Sequence, residues 1–143
     1  MNSVFKDDSW TMATGQIDGR NVLARFRSSL PNPVDMELLP YLVLLTWSYD
    51  SSESGMPGPD TTDRMTDLEA ILENSVEKNS GELVACITGN GRKEWRYYTY
   101  DTDRFMEKLN RGLSGHARFP IEIAFHEDPE WRALKELAPA AHT

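Results

Sequence analysis

The chain has 143 residues, with 15 basic against 23 acidic side chains, a formal charge of −8, and one cysteine. That length suits a single hydrophobic core, and 39% hydrophobic residues with 4 Trp, 5 Tyr and 5 Phe argue against a disordered chain. The acidic balance argues against general nucleic-acid binding, which depends on neutralising phosphates, and the lone Cys86 excludes an internal disulfide and fits a reducing compartment.

The longest apolar run, Tyr41 to Leu45, is far shorter than the about 20 residues of a membrane-spanning helix. The N-terminus runs into acids without an apolar h-region. The expectation is therefore a cytoplasmic protein, neither secreted nor membrane-inserted.

In chain order, the first expected element is a hairpin over about residues 9–28. Trp10, Met12 and Thr14 alternate with smaller residues, Asp18-Gly19 supplies a positive-φ turn pair, and Val22, Ala24 and Phe26 line one face of the return strand opposite Arg25 and Arg27. Ser29 to Asp35 reads as a loop, as does Ser51 to Pro59. Tyr41 to Tyr49 is apolar on both faces over much of its length, the pattern of a strand in the middle of a sheet. The period then changes to 3.6: Met65, Leu68, Leu72 and Val76 form a helical stripe flanked by Ile71, with Asp60 or Thr61 as cap and Gly81 as stop.

Leu83 to Thr88 reads as a buried strand, Asn90-Gly91 as a tight turn, and Arg92 to Tyr100 as its return. Asp101 or Thr102 caps a second helix carrying Phe105, Met106, Leu109 and Leu113, ending near Gly112 and Gly115. Phe119, Ile121, Ile123 and Phe125 alternate with polar or small residues as a half-buried strand, and Asp128-Pro129-Glu130 opens a short helix, about 128–138, with Trp131, Leu134 and Leu137. The whole reads as one α+β domain. Its core, about 41–127, has the βαββαβ order of a ferredoxin-like split βαβ sandwich: an antiparallel sheet with two helices on one face. The hairpin and terminal helix are additions that can cover the other face.

No catalytic constellation assembles. Gly89-Asn90-Gly91 lacks the Lys-Ser/Thr of a phosphate loop, Ser114 lacks the spacing of a nucleophile elbow, and Cys86 sits in an apolar strand. His116, His126 and His142 are far apart, and His126 and Glu127 alternate across a strand, so no metal site and no cofactor are expected. The strand Arg92 to Tyr100 lacks the glycine of RNA-recognition modules and is interrupted by Glu94, leaving Trp95 and Tyr97 for the core and Tyr98 and Tyr100 to meet an added element. The acids are more informative. Asp63, Asp67, Glu73 and Glu77 project away from the apolar stripe of the first long helix, with Glu69 at its margin, and suggest an acidic docking surface anchored by Trp47, Tyr49 and Met56. A competing reading places a small-molecule pocket beside the sheet, lined by Arg96, Tyr98, Glu122 and His126.

Several short signatures occur together: Trp10 opening the first strand, Gly55-Met56-Pro57 before the acidic helix, Thr88-Gly89-Asn90-Gly91-Arg92-Lys93-Glu94 leading into Trp95 and Tyr98, and Asp128-Pro129-Glu130-Trp131. Over about Trp10 to Trp131 the chain resembles the bacterial domain-of-unknown-function family 695 (DUF695). The resemblance implies a cytoplasmic bacterial protein without an established activity. It also implies a link to a small acidic regulator, itself ferredoxin-like, that some members are joined to or look like and that binds and restrains a ribonuclease. No catalytic residues come with it. The expectation is a non-catalytic module that binds another protein of basic character, as an immunity-type or regulatory inhibitor. A small sensor or enzyme is the alternative, and a homodimer formed through an open strand edge is a third possibility.

Overall fold

Asp18 and Asn90 take φ of 52° and 53°, and Gly19 and Gly91 follow at 77° and 83°. This is the doubly left-handed geometry whose twist matches two antiparallel strands, so each pair closes a hairpin. The computed structural model describes residues 3–50, 55–77 and 80–137. The described strands are β1 (Trp10–Ile17), β2 (Arg20–Arg27), β3 (Tyr41–Ser48), β4 (Glu82–Gly89), β5 (Arg92–Thr99) and β6 (Ile121–Glu127), and the helices are α1 (Pro33–Leu38), α2 (Pro59–Ser75), α3 (Thr102–Leu113) and α4 (Arg132–Lys135). All strand pairings are antiparallel, in the order β1-β2-β4-β5-β3-β6, so the fold is α+β around one six-stranded open sheet.

β3 lies between β5 and β6, as its two-faced apolar sequence requires. On one face α2 and α3 lay Met65, Leu68, Leu72, Val76, Phe105 and Leu109 over Val43, Leu45, Trp47, Cys86, Trp95 and Tyr97. Asp101 caps α3 as its sequence implies, accepting from the Asp103 and Arg104 amides. α2 starts earlier than the expected Asp60 or Thr61 cap: Gly58 is the N-cap and Pro59 the first helical residue, where a missing N–H costs nothing.

The opposite face is closed by α1 with Phe5 and the segment from Trp131. Phe5, Met36, Leu39, Trp131 and Leu134 pack on Phe26, Leu42, Val84 and Tyr98. Two expectations change here. The hairpin does not cover a face; it lengthens the sheet, because residues 22–26 of β2 pair with β4. The segment read as a loop after Ser29 contains α1, which starts at Pro33 and is held by burial of Met36. Gly89, at φ +141°, sits where the hairpin meets β4: a Cβ there would lie 2.4 Å from the Asn21 carbonyl oxygen, so only glycine permits the pairing.

The terminal helix is also shorter than expected. Asp128 does cap, but for a helix beginning at Arg132: its carboxylate accepts the Arg132 and Ala133 amides at 2.9 and 3.0 Å, across a turn that holds Pro129 and Glu130. Trp131 takes a left-handed φ of 58° and directs its indole inward, stacked on Tyr98 at 4.1 Å and 4°. The indole N–H is shared between the Met36 and Leu39 carbonyls at 3.2 and 3.0 Å, and the Tyr98 hydroxyl donates to Asp128 at 2.5 Å. This set ties β5, α1 and α4 together. Trp131→Ala should cost about 3–5 kcal/mol, and Tyr98→Phe, which removes one hydrogen bond and no packing, about 1 kcal/mol, both measurable by urea unfolding.

Candidate functional site

The sheet is wider than its helical cover. α2 lies over β4 and β5, and the hairpin carries the sheet beyond it, leaving a groove between α2 and the exposed face of β1 and β2. Two connected clefts make up this groove, and a third continues it past the end of α2 beside the N-terminal segment. The first, about 250 Å³, is lined by Leu23, Met56, Pro57, Met65 and Thr88; the second, about 390 Å³, by Trp10, Arg25, Arg27, Glu69, Glu73, Glu77 and Trp95; the third, about 400 Å³, by Ser3, Phe5, Lys6, Asp7 and Glu82. Glu69 is common to the first two, and Asp8, Arg27, Glu77 and Leu83 to the last two.

The helical wall follows from spacing. Glu69, Glu73 and Glu77 recur every four residues and so stack on one side of α2 and its extension. Glu69 accepts from Lys93 Nζ and from the Trp95 indole N–H, each at 3.1 Å, and Glu77 accepts from the Tyr97 hydroxyl at 3.0 Å. Burial pushes the Glu77 carboxyl above the usual carboxylate range; the Tyr97 bond opposes this, while like charge from Glu73 and Glu69 adds to it.

The sheet wall is cationic but tightly held. Arg25 and Arg27 lie 4.0 and 4.3 Å over the Trp10 ring, and Arg27 also pairs with Asp8 at 2.8 Å and donates to the Leu83 carbonyl at 3.0 Å. Around the whole groove six carboxylates face four cations, so its balance is acidic.

The residues singled out from sequence separate into distinct places. Glu73 and Glu77 join the groove. Asp63 is exposed on the outer side of α2, and Asp67 lines a different cleft of about 660 Å³ shared with Arg64, Ile71, His116 and Phe119. Met56 closes one end of the groove. Tyr49 is a strut: its N–H donates to Gly91 O at 2.9 Å and its hydroxyl to Gly55 O at 2.8 Å, tying the residues after the Ser51–Ser54 segment to the β4–β5 turn. Trp47 is 3% exposed, packed under Arg64 and against Phe119, and offers no surface to a partner.

The residues of the alternative pocket are not gathered around a cavity. Arg96 is bound to Glu94 at 2.8 Å and to the Ala133 carbonyl and Glu136 at 2.6 Å, and Tyr98 lies beneath Trp131, so α4 occupies the space beside them. Glu122 and His126 are exposed on β6. Cys86 is buried and its thiol is pushed up to about 12, unreactive at neutral pH. No group of three or more His, Cys, Asp or Glu side chains suited to a metal ion occurs among the described residues, and His142 lies outside them. No helix among the described residues is long and apolar enough to cross a membrane.

Sequence reasoning placed Arg25, Arg27 and Trp10 on the hairpin but in no candidate site, and placed Glu69 only at a margin. The four-residue spacing of Glu69, Glu73 and Glu77 was a legible signal; the approach of β2 to that wall depends on strand order.

Because the folded-state Glu77 pKa is raised, ionising it opposes folding. The cost is absent below about the ordinary value of 4.5, where both states are protonated, grows as pH rises towards the folded pKa, and is constant above it. Glu77→Gln keeps an acceptor for Tyr97 and removes that cost. It should therefore raise the melting temperature at pH 7 and lose the advantage in acid, as thermal melts across pH will show.

The family model described as "Family of unknown function (DUF695)" matches residues 8–137. No curated protein and no solved structure matches the chain. The matched stretch runs from Asp8 at the groove to Leu137 beyond α4 and includes every described strand and helix, so this chain belongs to the DUF695 family.

Proposed function

We propose that the protein acts by binding another protein, with the groove beside α2 receiving a basic segment of it, as an immunity-type or regulatory inhibitor in a reducing, cytoplasmic compartment. The observation that carries this reading is the groove's form and charge together. α2 is 17 residues long, about 25 Å, and two clefts follow it in series with a third beyond its end, a shape suited to a length of polypeptide. Burial is the main reason the Glu77 pKa is raised, and a Lys or Arg placed beside Glu73 and Glu77 would offset the like charge that adds to it, with the aromatic face of Trp10 alongside. The exposed acids Asp63 and Asp67 extend the same sign of potential over the outer face of α2 and would speed encounter with a basic partner.

We read the part of the sheet ordered β4-β5-β3-β6, with α2 and α3 on one face, as a ferredoxin-like split βαβ core to which the hairpin adds two strands. This reading makes the groove a product of the addition. The core's two helices cover the core, and the added strands lie beyond them.

One observation favours a second reading, a small-molecule sensor. The cleft of about 660 Å³ lined by Arg64, Asp67, Ile71, His116 and Phe119 has the size and mixed polarity of ligand pockets. Native mass spectrometry of protein purified from its host would reveal a retained small molecule.

The test begins with capture from a lysate of the source organism on immobilised protein, followed by association kinetics with the protein retained. Glu73→Lys in the groove should slow association by about tenfold and flatten its salt dependence. Asp63→Lys, on the outer face, should have a smaller effect. A partner indifferent to Glu73→Lys, or one that is acidic, removes the groove from the account.

A further inference from the structure

The two edges of the sheet are built differently. β6 follows Pro120 and carries Glu122, His126 and Glu127, the kind of residues that keep an edge strand from pairing. β1 has neither charge nor proline from Trp10 to Ile17 and pairs with β2 residue for residue along its 8 positions. Residues 11–16 are exposed, Met12 at 58%. A long, regular, uncharged edge is a template for another strand.

One hydrogen bond fixes which backbone groups this edge offers. The Ser28 N–H donates to the Ser9 carbonyl at 3.0 Å, so in the antiparallel alternation residues 11, 13, 15 and 17 exchange their bonds with β2. The N–H and C=O groups of Trp10, Met12, Thr14 and Gln16 then point to the open side. Those same residues share the helix-bearing face, because Met12 stands opposite Arg25 and Arg25 opposite Cys86.

We propose that β1 pairs antiparallel with β1 of a second copy, forming a two-fold dimer with one sheet running through both six-stranded halves. Charge selects this occupant. Self-pairing of β1 sets no like charges opposite one another within the strand, whereas β6 carries Glu122 and Glu127 and follows a proline. An open β1 beside a guarded β6 permits a single closed contact and blocks the head-to-tail growth that would give a fibre.

The geometry is constrained further. Only even-numbered residues offer bonds, and directly opposed residues in an antiparallel ladder share a face, so the α2 and α3 helices of both copies lie on the same side. Thr11, Ala13 and Gly15 supply small side chains for the close, unbonded positions of the other face. Each groove thereby gains the second copy's β1 along its open side. A strand of 8 residues spans about 27 Å, a contact at the small end for stable association, so the dimer dissociates on the order of micromolar concentrations.

Sedimentation equilibrium of the full chain, from low to several hundred micromolar, should show the mass rising from 16.3 kDa to twice that value. Met12→Pro deletes an outward N–H without touching the β2 ladder, and Thr14→Lys brings like charges together across the two-fold axis. Each should weaken the dimer by about tenfold or more while far-ultraviolet circular dichroism stays unchanged, and mixing Thr14→Lys with Thr14→Glu should restore association. A chain that remains at 16.3 kDa throughout, or a dimer insensitive to both substitutions, overturns the assignment. The proposal is independent of partner binding, since a monomer would leave the groove and its charge as they are.

Discussion

Tyr97 and Tyr98 are consecutive on β5, point to opposite faces, and are both wholly buried. With Trp95 beside Tyr97 on the helix side, this strand presents three large aromatic side chains that must be covered from above and below. α2 and α3 supply one cover, because each follows a strand and packs back on the same face. The other face is closed by α1, which lies in the connection from β2 across to β3, together with Phe5 and the Trp131 segment. Each polar tip then requires a partner, and that requirement orients the cover. Tyr97 and Trp95 need Glu77 and Glu69, which fixes the rotation of α2; Tyr98 needs Asp128, which fixes the entry into α4.

The same requirement reshapes the meaning of the net charge. Two carboxylates on the α2 side that seemed available for a docking surface are already acceptors for buried or half-buried donors, and Glu69 also holds Lys93. What remains for a partner is narrower: Glu73 between two committed glutamates, and the exposed Asp63 and Asp67 on other sides of the helix. The Arg25 and Arg27 guanidiniums stack on Trp10, so the cationic wall is turned towards its own aromatic floor. An acidic groove with a self-stacked cationic side is more selective than a uniformly negative face, since an incoming cation is matched at one wall and repelled at the other.

Much of this architecture could be read locally. Two positive-φ turn pairs, the Asp101 cap, the Met65-Leu68-Leu72-Val76 stripe and the alternation over Ile121 to Ile123 are each written within a few residues, although Phe125, expected to continue that alternation, is exposed. The family resemblance carried by Trp10, the β4–β5 turn and Asp128 to Trp131 was legible too. The features that were not legible depend on strand order. Nothing within residues 20–27 says that β2 will pair with β4, yet that pairing makes the groove. Trp47 reads as an exposed anchor because it ends a strand beside a Gly/Pro loop, but Arg64 and Phe119 arrive from distant elements to cover it. Asp128-Pro129 has every mark of a helix start. The helix is delayed to Arg132 because burying Trp131 against Tyr98 is favoured over continuing the helical turn, a contest between local propensity and tertiary packing.

The hairpin is where these lines meet. Without it β4 would be the edge of the sheet, and its central residues Val84, Ala85 and Cys86 are buried and apolar, an edge prone to indiscriminate pairing. Pairing residues 22–26 with β4 moves the open edge outward by two strands, to a sequence rich in Thr, Gly and Gln. Protection of β4 alone could have ended on a charged outer strand, as the other side of the sheet does at β6. The outer strand here keeps its charge on the inner member, β2, and leaves β1 neutral, regular and exposed. The transfer therefore exchanges an edge that would pair with anything apolar for one whose backbone groups, face and polarity restrict what can join it.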